Sequence, residues 1–294
     1  MKGRYFFTMA MALLMAVAGT TACKTGSGQG EKSSSEGTLT PEQLGWKLAV
    51  QCWTFKEYTF AEALEKIKEL GVKYVEAFPG QKIGGGYEGT THFTADSAAR
   101  AAMKSLLEKN GLTLVNYGVV TPSDRAGWEQ LFAFAKEMGI ETINSEPKPG
   151  VMDLVDSLAQ AYGINVGIHN HPKPSFYWSP DTLLKYVAGH SERLGACADV
   201  GHWVRSGLDP VECLKKLDGR IRSLHFKDLN EKARKAHDVP WGTGISDVPA
   251  MLQVLKDQGF QGVFSVEYEY HWTSSMPEIR QSLDNFREIV ARLK

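Results

Sequence analysis

The chain has 294 residues, of which 43% are hydrophobic and 23% charged, with 29 Gly, 12 Pro and 4 Cys. This is ordinary globular composition and excludes a disordered chain, a collagen-like repeat and a disulfide-dense scaffold. Lys and Arg number 33 against 34 Asp and Glu, so no basic excess is available for a phosphate backbone and no nucleic-acid partner is expected.

The chain opens on a targeting pattern. Lys2 and Arg4 precede an apolar run, Tyr5 to Ala18, that only Thr8 interrupts. Small residues follow, Gly19 to Ala22, and then Cys23. Residues 1–22 read as a secretory signal peptide, too short for a comfortable membrane span. A Cys directly after small residues resembles a bacterial lipoprotein cleavage site, which makes Cys23 the expected lipid-bearing first residue. The expected location is then the cell envelope, with plain secretion as the alternative. Removing residues 1–22 takes away Lys2 and Arg4 and no acid, leaving 31 basic and 34 acidic residues and a net charge of −3. Residues 24–36 are rich in Ser, Gly and Lys without apolar periodicity, so 23–40 reads as a lipidated Cys and flexible tether. The folded domain is expected over 41–294.

Strand-like runs then recur: Lys47–Trp53, Tyr74–Phe78, Leu112–Val119, Glu141–Ser145, Ile164–His169, Leu194–Asp199, Ile221–Phe226 and Gly262–Glu267. Each is followed by helical spacing of apolar residues, as with Phe60, Leu64, Ile67 and Leu70 on one face of the first helix. Gly71, Gly111, Gly139, Gly163 and Gly259 stand where these helices should stop, and a last helix is expected over Met276–Leu293. Alternating strands and helices require parallel strands. Eight such units in this length predict a single-domain (β/α)8 TIM barrel. The rival, a doubly wound open sheet, should carry a Gly-rich phosphate turn after its first strand. The sequence there is Cys52-Trp53-Thr54-Phe55-Lys56. Gly84-Gly85-Gly86, after strand two, reads as a flexible loop or lid.

Catalytic groups of such barrels stand at the C-terminal ends of strands. These ends read Glu76-Ala77-Phe78, Asn144-Ser145-Glu146-Pro147, His169-Asn170-His171, Asp199-Val200-Gly201-His202, His225-Phe226-Lys227-Asp228 and Glu267-Tyr268-Glu269. Glu146, Asp199, His225 and Glu267 emerge from one half of the barrel. Grouped carboxylates need a compensating cation. Three carboxylates with one imidazole suit Mn²⁺ best, with Co²⁺, Mg²⁺ or Zn²⁺ as options. The remaining cysteines, Cys52, Cys197 and Cys213, have no CxxC spacing and read as buried free thiols.

The motifs Glu146-Pro147, His169-Asn170-His171, Asp199-x-x-His202, His225-x-Lys227-Asp228 and Glu267 resemble the xylose isomerase-like TIM-barrel superfamily, in its sugar isomerase/epimerase branch, over residues 45 to 294. The resemblance implies one divalent metal held by Glu146, Asp199, His225 and Glu267, with the two glutamates also serving as the acid/base pair. It implies His202, His171 and Lys227 as substrate contacts. Strand five departs from many sugar epimerases, which have Glu or a plain apolar residue before the Asn or His.

The chemistry expected of such a site is general. A divalent metal chelated by a ketone oxygen and a neighbouring hydroxyl makes the adjacent carbon acid enough to lose a proton and give an enediolate. Return of a proton gives isomerisation or epimerisation, and loss of a leaving group gives dehydration or elimination. Aromatic residues near the strand ends, Trp53 and Trp241 among them, suit the apolar faces of a sugar ring. Trp241-Gly242-Thr243-Gly244 reads as a loop closing the site, and Glu76 as a further substrate contact. The function expected is a metal-dependent isomerase or epimerase of a non-phosphorylated sugar. A lyase or dehydratase of a keto sugar or 3-keto glycoside is one alternative, and a catalytically inactive carbohydrate-binding lipoprotein another.

Overall fold

Eight parallel strands close into a barrel in the computed structural model, which describes residues 38–294. The expected signal peptide and Cys23 lie outside the described residues. The barrel strands are β1 (Trp46–Gln51), β2 (Tyr74–Ala77), β3 (Thr113–Tyr117), β4 (Thr142–Ser145), β5 (Asn165–His169), β6 (Leu194–Asp199), β7 (Ile221–Phe226) and β8 (Gly262–Val266). Each pairs with its neighbours in sequence, and β1 pairs with β8 to close the ring. The (β/α)8 expectation is met.

Local chemistry sets the helices between them. Thr59 and Glu62 form a reciprocal capping box that starts α1 (Phe60–Glu69), whose Phe60, Leu64 and Ile67 are buried. Gly111, Gly139 and Gly163 close the next three helices of the ring in the left-handed conformation, with φ of 66°, 75° and 71°. The last helix spans Met276–Val290, shorter than expected at its C-terminal end.

Two further expectations change. Strand one stops at Gln51 rather than Trp53, because the Gln51 side chain accepts the Trp53 N–H at 3.1 Å and caps a 3-10 turn, Cys52–Phe55. Gly84-Gly85-Gly86 is not an open lid. It lies at the turn of a short antiparallel hairpin, Lys82–Gly84 with Tyr87–Thr90. A Cβ on Gly84 would stand 2.5 Å from the Thr59 side chain, so glycine allows the close approach to α1.

Inside the barrel lies a buried polar layer: Gln51, Glu76, Asn116, Asn144, Ser223, His225 and Ser265. Cys52, Cys197 and Cys213 are buried and unpaired, as expected.

Candidate active site

Asp199 ends β6 and also caps the short helix Val200–Arg205, accepting the His202 N–H at 2.7 Å. The Asp-x-x-His spacing is therefore a helix cap that carries the imidazole back over the carboxylate. His202 Nε2 lies 3.4 Å from Asp199 Oδ2. Asn170 locks the Asp199 backbone from both sides, donating to its carbonyl and accepting its N–H, each at 2.9 Å.

Alternation along β7 and β8 sends His225 and Lys227, and Glu267 and Glu269, to the interior side of their strand ends. Phe226 faces outward onto Trp241 and Phe286. Asp228 accepts from the backbone N–H groups of Leu229, Gly242, Gly244 and Ser246, fixing the loop after β7. One ligand atom from each of His169, Asp199, His225 and Glu267 lies within 4.8 Å of all the others, and all four residues are buried. His169 Nε2 and His225 Nδ1 are buried without a hydrogen-bond partner. His225 Nδ1 is 3.0 Å from Glu267 but out of line for a bond, and His169 Nε2 is 3.6 Å from Asp199, too far for one. Two orphaned imidazole nitrogens beside two carboxylates fit a divalent cation, whose coordination would satisfy both.

The structure brings three of the four expected ligands together. Asp199, His225 and Glu267 come together, but the fourth member of their group is His169 and not Glu146. Glu146 forms a second group with His169 and His171. Its Oε1 contacts His171 Nδ1 and lies 3.4 Å from His169 Nδ1, and its Oε2 accepts from Ser175 at 3.2 Å. These partners already occupy the carboxylate.

Lys227 is 1% exposed and donates to Asp199 and Glu267 at 2.7 Å and to Glu269 at 2.9 Å. It was expected as a contact for substrate hydroxyls; with three carboxylates around its ammonium group it holds the acidic cluster together instead. Burial opposes its charge, but the carboxylates of Asp199, Glu267 and Glu269 hold its pKa well above the usual lysine range. Burial likewise opposes charge on Asp199 and Glu267. The charges of Lys227 and His169 hold the first well below the usual range, and His225 and Lys227 do so for the second. Burial keeps His202 neutral, with Lys227 adding to the effect. For His169, burial is outweighed by the neighbouring carboxylates of Asp199 and Glu146, which raise it to about 9.

A cavity of about 350 Å³ opens above these groups. Trp53, Phe78, His171, His202, Glu267 and Glu269 are among its walls, so Trp53, His171 and His202 stand where substrate contacts were expected. Glu76 and Trp241 do not. Glu76 is fully buried and accepts from Gln51, Asn144, Ser265 and His225, so no valence is left for a substrate. Trp241 is 1% exposed, packs on Phe226 and Phe286 and donates its Nε1–H to the Phe226 carbonyl at 3.1 Å. Glu269 and Arg205 belong to the site without having been singled out. Arg205 bonds Glu269, Asp238 and His202.

A putative uncharacterized protein from Parabacteroides distasonis, of solved structure, is 36% identical, with a TM-score of 0.69 over 83% of this chain and 99% of that one. An inosose dehydratase of Mesomycoplasma hyopneumoniae is 24% identical over 45% of this chain and 50% of its own length. An inosose isomerase of Bacillus licheniformis is 28% identical over 48% of this chain and 54% of its own. The chain thus spans about half the length of these curated relatives. The sequence profile of the xylose isomerase-like TIM barrels matches residues 64–289, and the chain belongs to that family.

Proposed function

We propose that the chain is a divalent-metal-dependent enzyme acting on a non-phosphorylated keto sugar. It removes the proton from the carbon next to the keto group and returns one, as an isomerase or epimerase. The observation that supports this best is the pair of orphaned imidazole nitrogens, His169 Nε2 and His225 Nδ1, grouped with Asp199 and Glu267 beside an aromatic-walled cavity. His169, Asp199, His225 and Glu267 would hold the metal. Mn²⁺ suits the mixed nitrogen and oxygen set, and Co²⁺, Mg²⁺ and Zn²⁺ are further candidates. When bound, the metal supplies Lewis-acid polarisation of the substrate carbonyl.

The chain's own residues do the rest. Glu267, at the cavity wall, takes the proton from carbon. His171, also at the wall, returns a proton, with Glu146 behind it fixing the ring. Lys227 offsets the charge of Asp199, Glu267 and Glu269. Neutral His202 offers its Nε2–H to a substrate oxygen; Arg205 beside Nδ1, at 3.1 Å, favours that tautomer. Trp53 and Phe78 present apolar faces to a sugar ring and exclude water.

The names of the two inosose relatives support the shared first step, and the dehydratase name favours a second outcome. Loss of a leaving group one carbon further on would give an unsaturated product. Product analysis by NMR on a panel of keto sugars tests both outcomes. An epimer or isomer that appears with the Mn²⁺-loaded protein and disappears with a chelator is expected. Full turnover after complete metal removal would contradict the proposal. Export as a lipoprotein carrying its lipid on Cys23 belongs to the same reading, since an envelope enzyme meets free sugars and glycosides. Membrane-fraction recovery that is unchanged in Cys23→Ala would refute it.

A further inference from the structure

A second cavity, of about 490 Å³, adjoins the first, and Trp53 and Phe78 line both. Each volume lies in the range of small-molecule sites. The shared wall is built, not incidental. Trp53 is 36% exposed and stands edge-on to Phe78, with ring centroids 5.1 Å apart at 87°. The Lys56 ammonium lies 4.7 Å from the Trp53 ring and 3.6 Å from the Trp272 ring, clamping the loop after β1 to the loop after β8. Tyr58 adds a hydrogen bond to the Thr273 carbonyl across the same two loops, at 3.1 Å.

Gln81 lines the outer cavity and ties its parts together, donating from Nε2 to the carbonyls of Phe55 and Tyr58 at 3.2 and 3.0 Å. Its Oε1 is buried without a hydrogen-bond partner among the described residues, so the side chain serves the wall and not the cavity's contents. The charges on this wall balance, Lys56 and Lys82 against Glu57 and Glu62, so the cavity does not select an anion. An indole face and balanced charge together suit a neutral, hydroxyl-rich ring.

We propose that the outer cavity is a subsite for a second sugar ring, joined by a glycosidic bond to the ring held in the inner cavity. The natural ligand is then a disaccharide or longer glycoside and not a free monosaccharide. The inference rests on the carbohydrate reading of the inner site.

Calorimetric titration of the Mn²⁺-loaded protein tests it, with 3-ketoglucose and methyl 3-ketoglucoside compared against the 3-keto forms of cellobiose, maltose and sophorose. At least one disaccharide should bind about tenfold or more tightly than either single-ring sugar. In Glu57→Ala/Lys82→Ala, which alters two exposed side chains of the outer wall, that ratio should fall toward one while single-ring binding stays unchanged. Trp53→Ala, at the shared wall, should weaken both classes and also collapse the ratio. Equal affinity for one and two rings, with the single-ring sugars still bound, overturns the subsite and leaves the inner site standing. Failure of every sugar of either length to bind overturns the carbohydrate reading and the subsite with it.

Discussion

Oε1 of Glu76 lies 2.8 Å from Nε2 of His225, and both side chains are fully buried. The carboxylate fixes the imidazole so that Nδ1 faces Asp199, Glu267 and His169. Such a partner sets both the orientation and the basicity of a metal-binding histidine. Glu76→Gln keeps the shape and removes the charge. Divalent-metal affinity should fall by about 10- to 100-fold. Titration of the apoprotein with Mn²⁺ checks this, and unchanged affinity would show that His225 needs no anchor.

His169 and Glu146 should separate cleanly in a metal assay. His169→Ala removes a member of the buried four-residue group and should lose most of the bound metal. Glu146→Gln, outside that group, should retain it while turnover falls by about 10² or more, because His171 loses its partner. Metal content and turnover measured on the same samples decide the point. Full metal in His169→Ala together with metal loss in Glu146→Gln would restore the arrangement expected from sequence.

Lys227 is the buried cation among three carboxylates. Lys227→Met leaves Asp199, Glu267 and Glu269 without it, and loss of one partner from a buried charge cluster costs about 3–5 kcal/mol. Saturating Mn²⁺ should return part of that stability, since a bound dication meets the same carboxylates. Urea unfolding with and without metal measures both effects. A variant as stable as the parent, and indifferent to metal, would contradict this electrostatic role.

Asp238 gives a pH signature. Burial pushes its carboxyl up to about 7, although Lys227 and Arg205 pull the other way, and its Oδ1 has no hydrogen-bond partner. Its native state thus holds a proton that the unfolded chain releases near pH 4. The stability this contributes is complete below the unfolded value and is lost as pH rises through about 7. Relative to Asp238→Asn, the parent should lose up to about 1.4 kcal/mol per pH unit across that window. Unfolding free energies of the two proteins at several pH values test the sign. A difference that does not change with pH would place the carboxyl in its ordinary range.

Barrel and site were unequally legible in the sequence. The strand-and-helix alternation was visible because apolar spacing and closing glycines are local signals, and Gly111, Gly139 and Gly163 cap helices as their positions implied. Asp199, His225 and Glu267 were visible as polar residues at strand ends. His169 was missed as their companion because Glu146 and His169 both stand at neighbouring strand ends, and alternation does not choose between them. What separates them is His171, which engages the Glu146 carboxylate across a loop. The unusual His169-Asn170-His171 at strand five was the available signal. Glu76 looked like a rim residue, yet its partners Gln51, Asn144 and Ser265 come from three other strands, pairings that only the closed barrel reveals. Trp241 looked like a lid because the outward face of Phe226, on which it packs, is likewise set by the closed barrel.

Hydrogen exchange from D₂O into keto sugars tests the central claim most directly, because removal of a proton next to a keto group precedes isomerisation, epimerisation and elimination alike. Mn²⁺-loaded protein should place deuterium at the carbon beside the keto group of at least one substrate or product, or release an unsaturated product. The reaction should stop with chelator and in His169→Ala. Loaded, folded protein that neither exchanges nor eliminates with any keto sugar or 3-keto glycoside would contradict the assignment of this site as a proton-transfer centre.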